Sequence, residues 1–173
     1  MQRPNQRISQ KSIRIFHLED SHEDRDAVRA MCRATKDLVY AGEAEKDSRD
    51  LVDSIRRSGA RIAIIDPDLN ALGVAEAVSP SGLTAIRRIR VHLGRRVKIL
   101  VFTGRKDVRP KALEAGADQV LLKGGSRDAL RNAIRALAGT GRLDKSQKIL
   151  GKSAGDFEVG SAEAYCQRPR EEP

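Results

Sequence analysis

Arg61-Ile62-Ala63-Ile64-Ile65-Asp66 decides the fold, because an unbroken apolar run, rich in β-branched residues, leads straight into a lone acid. Such a run is short enough for a strand and apolar enough to be covered on both faces, as central strands of parallel sheets are. Similar stretches lie on either side of it. Ile13-Arg14-Ile15-Phe16-His17-Leu18 runs into Glu19-Asp20. Lys98-Ile99-Leu100-Val101-Phe102 ends at Thr103, and Gln119-Val120-Leu121-Leu122 ends at Lys123. A further strand is predicted from Leu38 to Ala44, although Gly42 interrupts it.

Helical patterns alternate with these strands. The first, about 22–35, begins at Ser21 or His22 and carries Val28, Met31 and Thr35 on one stripe, with Ala27 and Ala34 beside it. Glu23, Asp24 and Asp26 suit its positive end. A second helix, about 47–58, offers Leu51, Val52 and Ile55 and stops at Gly59. The third, about 82–93, places Leu83, Ile86, Ile89, the Arg90 stem and Leu93 at helical spacing before Gly94. A short fourth helix is capped by Asp107, carries Pro110 in its first turn and closes at Gly116. Ser126 caps the last, about 126–138, whose stripe is Leu130, Ala133, Ile134 and Leu137. Five strand–helix repeats argue for an α/β fold with a doubly wound, five-stranded parallel sheet and right-handed crossovers. If the strands are parallel, the acids, Thr103 and Lys123 gather at the carboxyl edge, where such sheets bind ligands. Carboxylates, a hydroxyl and an ammonium at one edge can hold Mg²⁺ and a phosphoryl group, which makes Asp66 a candidate phosphoacceptor.

Composition bounds the alternatives. The 173 residues favour one domain with tails, and 39% hydrophobic residues suffice for a core. Aromatics are only 3% and Trp is absent, so Ile, Leu, Val and Ala must build that core. Cys32 and Cys166 are far apart in sequence and lack metal-site spacing, which fits a cytoplasmic location without a structural disulfide. No apolar run is long enough to span a membrane. The net charge of +9 is spread along the chain. Its densest patch is Arg87, Arg88, Arg90, Arg95, Arg96 and Lys98, and no interleaved aromatics would stack on bases, which argues against nucleic acid. Three parts are expected: a basic N-terminal extension over 1–11, a domain over 12–138, and a mostly flexible tail over 139–173, in which 143–150 could dock. The Pro67–Ser81 connection exceeds the usual span of about 2–6 residues and holds a possible helical turn at Val74–Val78.

With these strand ends in place, residues 12–138 resemble the receiver domain of bacterial two-component response regulators, a flavodoxin-like fold with strand order 2-1-3-4-5. The resemblance implies that Glu19 and Asp20 bind Mg²⁺ together with Asp66, and that Asp68 reaches the metal through its carbonyl while its side chain faces solvent. It makes Asp66 the phosphoaspartate, Thr103 the hydroxyl donor to phosphate, and Lys123 the cation that pairs with Asp66 at rest. Gly82 matches the glycine that opens the family's third helix, and Gly116-Ala117 matches its usual sequence before strand five. The implied partners are a sensor histidine kinase or histidine phosphotransfer protein as donor, and a downstream protein as target. Chemistry is limited to self-phosphorylation from the donor and autodephosphorylation.

The chain departs from the family pattern in the long 67–81 connection, in Gly124 where a cis proline usually follows the lysine, and in Val120 at the aromatic switch position. These departures leave room for a second function, a degenerate receiver that binds partners without phosphorylation. A metal-dependent phosphatase would need a second carboxylate as acid/base. Asp68 could be read that way, but the chain has no obvious cap domain. His17 and His22 flank the acidic pair without zinc spacing, so ordinary structural roles are expected of both.

Overall fold

A computed structural model describes residues 12–69 and 80–139. The expectations for 1–11, for Val74–Val78, for Leu143–Leu150 and the rest of the tail, and for Cys166 lie outside the described residues. The elements run β1 (Ile13–Leu18), α1 (His22–Arg33), β2 (Leu38–Ala44), α2 (Leu51–Ser58), β3 (Ile62–Ile65) and α3 (Pro80–Leu93). A 3-10 turn at Gly94–Arg96 leads to β4 (Lys98–Thr103), α4 (Arg109–Ala115), β5 (Gln119–Leu122) and α5 (Arg127–Leu137).

All neighbouring strands pair parallel, in the order β2-β1-β3-β4-β5. The central strand β3 is buried at every residue. Its side chains alternate between two cores, as a period of two requires. Ile62 and Ile64 join Ile13, Ile15 and Leu100 beneath α1 and α5, where Val28, Met31, Leu130 and Ile134 close the layer. Ala63 and Ile65 join Phe16, Leu18 and Val101 on the opposite face, covered by Ile55, Ile86 and Ala112 from α2, α3 and α4. Strand β2 continues through Gly42, and its register against β1 slips by one residue between Ile15 and Phe16, so that Ala41 bulges out of the ladder. Among the described residues no helix is long and apolar enough to cross a membrane.

Local chemistry explains the boundaries and the departures from them. Ser21 and Ser126 cap α1 and α5 by accepting from the Asp24 and Ala129 amides at 3.3 and 3.2 Å. Helix α2 starts at Leu51 rather than near 47, because the preceding turn is held from α3. There Arg88 pairs with Asp47 and donates to the Ser48 and Arg49 carbonyls at 3.0 and 3.1 Å. Asp107 does not cap α4. Val108 takes the cap position and is fully buried, while the Asp107 carboxylate turns to the Arg105 guanidinium at 2.6 Å. On α1 the two alanines are exposed, and Arg25 and Cys32 complete the buried face. The basic patch also serves the fold. Arg90 packs its stem on Gly116, donates to the Gly116 carbonyl at 2.6 Å and pairs with Asp118 at 2.7 Å, so part of the patch is engaged internally.

Candidate functional site

Parallel pairing brings the ends of β1, β3, β4 and β5 to one edge, and the Lys123 ammonium stands at the centre of what they carry. Its Nζ donates to Glu19 Oε2 at 2.7 Å, to Asp66 Oδ2 at 2.7 Å and to Asp24 Oδ2 at 2.6 Å. The same Nζ lies 5.9 Å from the centroid of the Phe102 ring, over its face. Burial alone would lower the lysine, but these three carboxylates outweigh it and hold the ammonium above the ordinary lysine range. Its proton is therefore secure at neutral pH.

Asp66 is almost wholly buried, and both its oxygens are engaged. Oδ1 accepts from the Asp68 amide at 2.9 Å and Oδ2 from Lys123. Its own amide donates to the Leu18 carbonyl at 2.9 Å, which ties the residue to the end of β1. The backbone just beyond it is pinned by Gly82 on α3. A Cβ built at Gly82 would overlap the carbonyl, Cα and carbonyl carbon of Pro67, so only glycine lets the helix approach this closely.

Thr103 is fully buried, donates from Oγ1 to Asp68 Oδ2 at 3.1 Å and accepts from the Arg105 amide at 3.1 Å. The side chain of Asp68 thus points into the site and not to solvent, because Thr103 offers it a buried hydroxyl. Its other oxygen, Oδ1, is buried without a hydrogen-bond partner. Burial, and after it the neighbouring Asp66 charge, push the Asp68 carboxyl above the usual range.

Glu19 is 1% exposed. Oε1 accepts from the Ser21 amide at 3.2 Å, and Oε2 from Lys123. Burial pushes its carboxyl up to about 7 against the Lys123 hydrogen bond, and the Asp66 charge adds to the rise. Asp20 lies at the exposed rim, where its carbonyl accepts from Arg25 at 3.0 Å. That guanidinium is buried and also binds the Glu19 carbonyl at 2.7 Å, so α1 clamps the loop that carries both acids. His17 is fully buried behind the site, its Nε2 4.0 Å from Glu19 Oε2 and its Nδ1 3.4 Å from the Tyr40 hydroxyl. Burial first, and Lys123 next, lower it to about 3, so the imidazole is neutral. His22 is exposed on α1, 3.4 Å from Asp26.

The structure therefore brings together Glu19, Asp66, Asp68, Thr103 and Lys123, and leaves Asp20 at their edge. Asp24 joins them although sequence reasoning gave it only a helix-dipole role. A signal was available: Asp24, Val28, Met31 and Thr35 share one helical stripe, so extending the apolar face back one turn points Asp24 inward. For a metal, the donors are of the right kind. They are hard carboxylate oxygens, one of them buried and unpartnered, in a cluster where burial already disfavours negative charge. Among the described residues, however, no three His, Cys, Asp or Glu side chains are grouped as a ligand set, and three of the carboxylates converge instead on the Lys123 ammonium.

No protein-family model matches the chain, and no curated protein matches its sequence. Solved structures do. A LuxR-family two-component response regulator from Aurantimonas is 25% identical, with 84% of this chain and 100% of that one covered and a TM-score of 0.63. The receiver domain of a sensor histidine kinase from Pseudomonas aeruginosa, determined with a magnesium ion coordinated in its active-site cleft, is 24% identical over 74% of this chain and 98% of its own, with a TM-score of 0.59. The isolated receiver domain of RcsB from Salmonella enterica, determined with phosphomimetic beryllofluoride, gives 20%, 81%, 99% and 0.62 for the same measures. Sheet order, the residues at each strand end and these likenesses agree: the chain has the receiver-domain fold of two-component response regulators.

Proposed function

We propose that this chain accepts a phosphoryl group on Asp66 and signals by changing its affinity for a partner protein. The observation that carries it is the position of Asp66, a buried carboxylate hydrogen-bonded by Lys123 and joined through Asp68 to the hydroxyl of Thr103. A carboxylate oxygen attacks phosphorus without a general base to activate it. One Asp66 oxygen forms the new P–O bond as the bond from phosphorus to the donor breaks. With a phosphohistidine donor the leaving group is the imidazole nitrogen, and with acetyl phosphate it is acetate. Lys123 offsets negative charge on the transferring oxygens, and Thr103 turns its hydroxyl from Asp68 to one of them. Water then attacks phosphorus and returns the free carboxylate with inorganic phosphate.

Glu19, Asp20, Asp66 and the Asp68 carbonyl are the groups that would hold Mg²⁺. When bound, the ion neutralises the acids that would otherwise repel phosphate. The donor is a sensor histidine kinase or histidine phosphotransfer protein, the setting is the cytoplasm, and the working unit is the domain over 12–138, flanked by a 1–11 extension and a 139–173 tail. Intact mass after incubation with acetyl phosphate and Mg²⁺ tests this. The wild type should gain one phosphoryl group, about 80 Da, and Asp66→Asn should gain none. A wild type that takes up no phosphoryl group would favour a phosphorylation-independent binding module, and full labelling of the Asn variant would place the acceptor elsewhere.

A further inference from the structure

We propose that Asp24 is a positioning residue that fixes the Lys123 ammonium in the site, doing from α1 what the backbone around Lys123 cannot do. The inference rests on the phosphoryl-acceptor reading of Asp66, but its structural half stands apart from it.

Lys123 sits in a weakly constrained segment. Its amide bonds the Thr103 carbonyl at 2.7 Å, and two glycines follow. Gly124 has φ +88°, a conformation that proline, locked near −65°, cannot adopt. A Cβ built at Gly124 meets nothing within 4 Å, so the side on which a side chain would project is open. A cleft of about 140 Å³, lined in part by Asp24, Met31, Phe102, Gly124 and Leu130, adjoins the lysine and gives its side chain somewhere else to go. A long, flexible stem beside open volume needs an external hold if its head is to be in register for chemistry.

Asp24 supplies that hold. An ammonium has three N–H donors, and here each has one carboxylate, at 2.7, 2.7 and 2.6 Å. Two of the three, Glu19 and Asp66, belong to the phosphoryl site, and the Asp66 contact must change when that carboxylate is modified. Asp24 is anchored differently. It lies in the first turn of α1, with its amide on the Ser21 cap at 3.3 Å, and is not among the groups assigned above to Mg²⁺ or to the phosphoryl oxygens. It therefore keeps one N–H while another turns from Asp66 to a phosphoryl oxygen, so the cation rotates about a fixed point and does not swing into the cleft.

Two measurements on the full chain test this, on wild type, Asp24→Ala, the isosteric Asp24→Asn and the charge-keeping Asp24→Glu. The first is backbone ¹⁵N relaxation at Gly124 and Gly125 together with acylation of Lys123 read by peptide mass. Asp24→Ala should lower the order parameters of both glycines from a rigid value of about 0.85 toward 0.6 and raise Lys123 labelling several-fold. The second is the phosphorylation rate with acetyl phosphate and Mg²⁺. At saturating donor, Asp24→Ala should be about tenfold slower, Asp24→Asn intermediate, and Asp24→Glu closer to wild type, with unfolding midpoints unchanged in the Asn variant. Unchanged loop order and Lys123 labelling in Asp24→Ala would overturn the proposal, as would faster phosphorylation, which would mean that Asp24 acts by repelling the donor. If the wild type takes no phosphoryl group, the acceptor reading fails, and the relaxation and labelling measurements still decide whether Asp24 positions Lys123.

Discussion

His17 and Glu19 bury two titratable groups behind one lysine, and their pH effects have opposite signs. Burial lowers His17 from 6.5 to about 3. Between those values the unfolded chain binds a proton that the folded chain does not, so stability falls as pH drops through that window, by up to about 1.4 kcal/mol per unit. Burial raises Glu19 from 4.5 to about 7, so there the folded chain holds the extra proton and stability falls as pH rises. The two slopes oppose each other where the windows overlap, which hides both in the wild type alone. The difference between wild type and His17→Asn isolates the first. In urea unfolding with chelator present, the wild type should lose stability relative to the variant from pH 6.5 toward pH 4.5, and the difference should be flat above pH 7. A difference independent of pH would mean that the imidazole is already charged in the folded state.

At the scale of elements, the contact between α3 and the end of β3 is the tightest constraint on the site. Gly82→Ala would drive a methyl into the Pro67 backbone one residue beyond Asp66. Neither side of that contact is a flexible side-chain end, so the expected cost is about 2–4 kcal/mol, with a parallel loss of phosphorylation because Asp66 is displaced. Thermal unfolding checks the first part and intact mass the second; a midpoint within a degree or two of wild type would show that α3 can shift freely. Arg25 should be comparably important for the other half of the site. It is buried and holds the Glu19 and Asp20 carbonyls at 2.7 and 3.0 Å, so Arg25→Met should destabilise by about 2–3 kcal/mol, read by the same melts. What the sequence made legible follows the same division. The strands, the sheet order and the strand-end residues could be read because apolar runs and parallel topology determine them. The start of α2, the cap of α4 and the direction of the Asp68 side chain could not, because Arg88 and the Thr103 hydroxyl, both distant in sequence, decide the first and third, and burial of Val108 in the core decides the second. Asp24 falls between: its helical stripe pointed inward, but only the meeting of the first turn of α1 with the end of β5 shows that Lys123 is there to pair with it.

For the molecule as a whole, the open issue is how a change at Asp66 reaches a surface when β5 carries Val120 at its centre. Val120 is buried in the core shared with Val101, Val108 and Ala112, and a β-branched side chain of that size has no exposed rotamer to swing into. The polar connections run elsewhere. Thr103 Oγ1 donates a hydrogen bond to Asp68 Oδ2 and accepts one from the Arg105 amide, while Arg105 pairs with Asp107 at the entrance to α4. A phosphoryl oxygen that accepts the Thr103 hydrogen bond would leave Asp68, already partly unpartnered and raised by burial, without that donor. The 67–69 and 104–108 segments must then rearrange together, against a sheet that is packed on both faces. Beryllofluoride with Mg²⁺ should therefore shift amide resonances at Asp68, Leu69 and Gly104–Arg109, and leave the Val120 methyl signals nearly in place. The change in partner affinity should correspond to about 1–3 kcal/mol. Val120→Ala should destabilise the fold while preserving that shift pattern, whereas Thr103→Ala should bind the mimic without transmitting it to Arg105–Arg109. Shifts confined to residues touching the mimic would mean that the site is filled without being coupled to a surface.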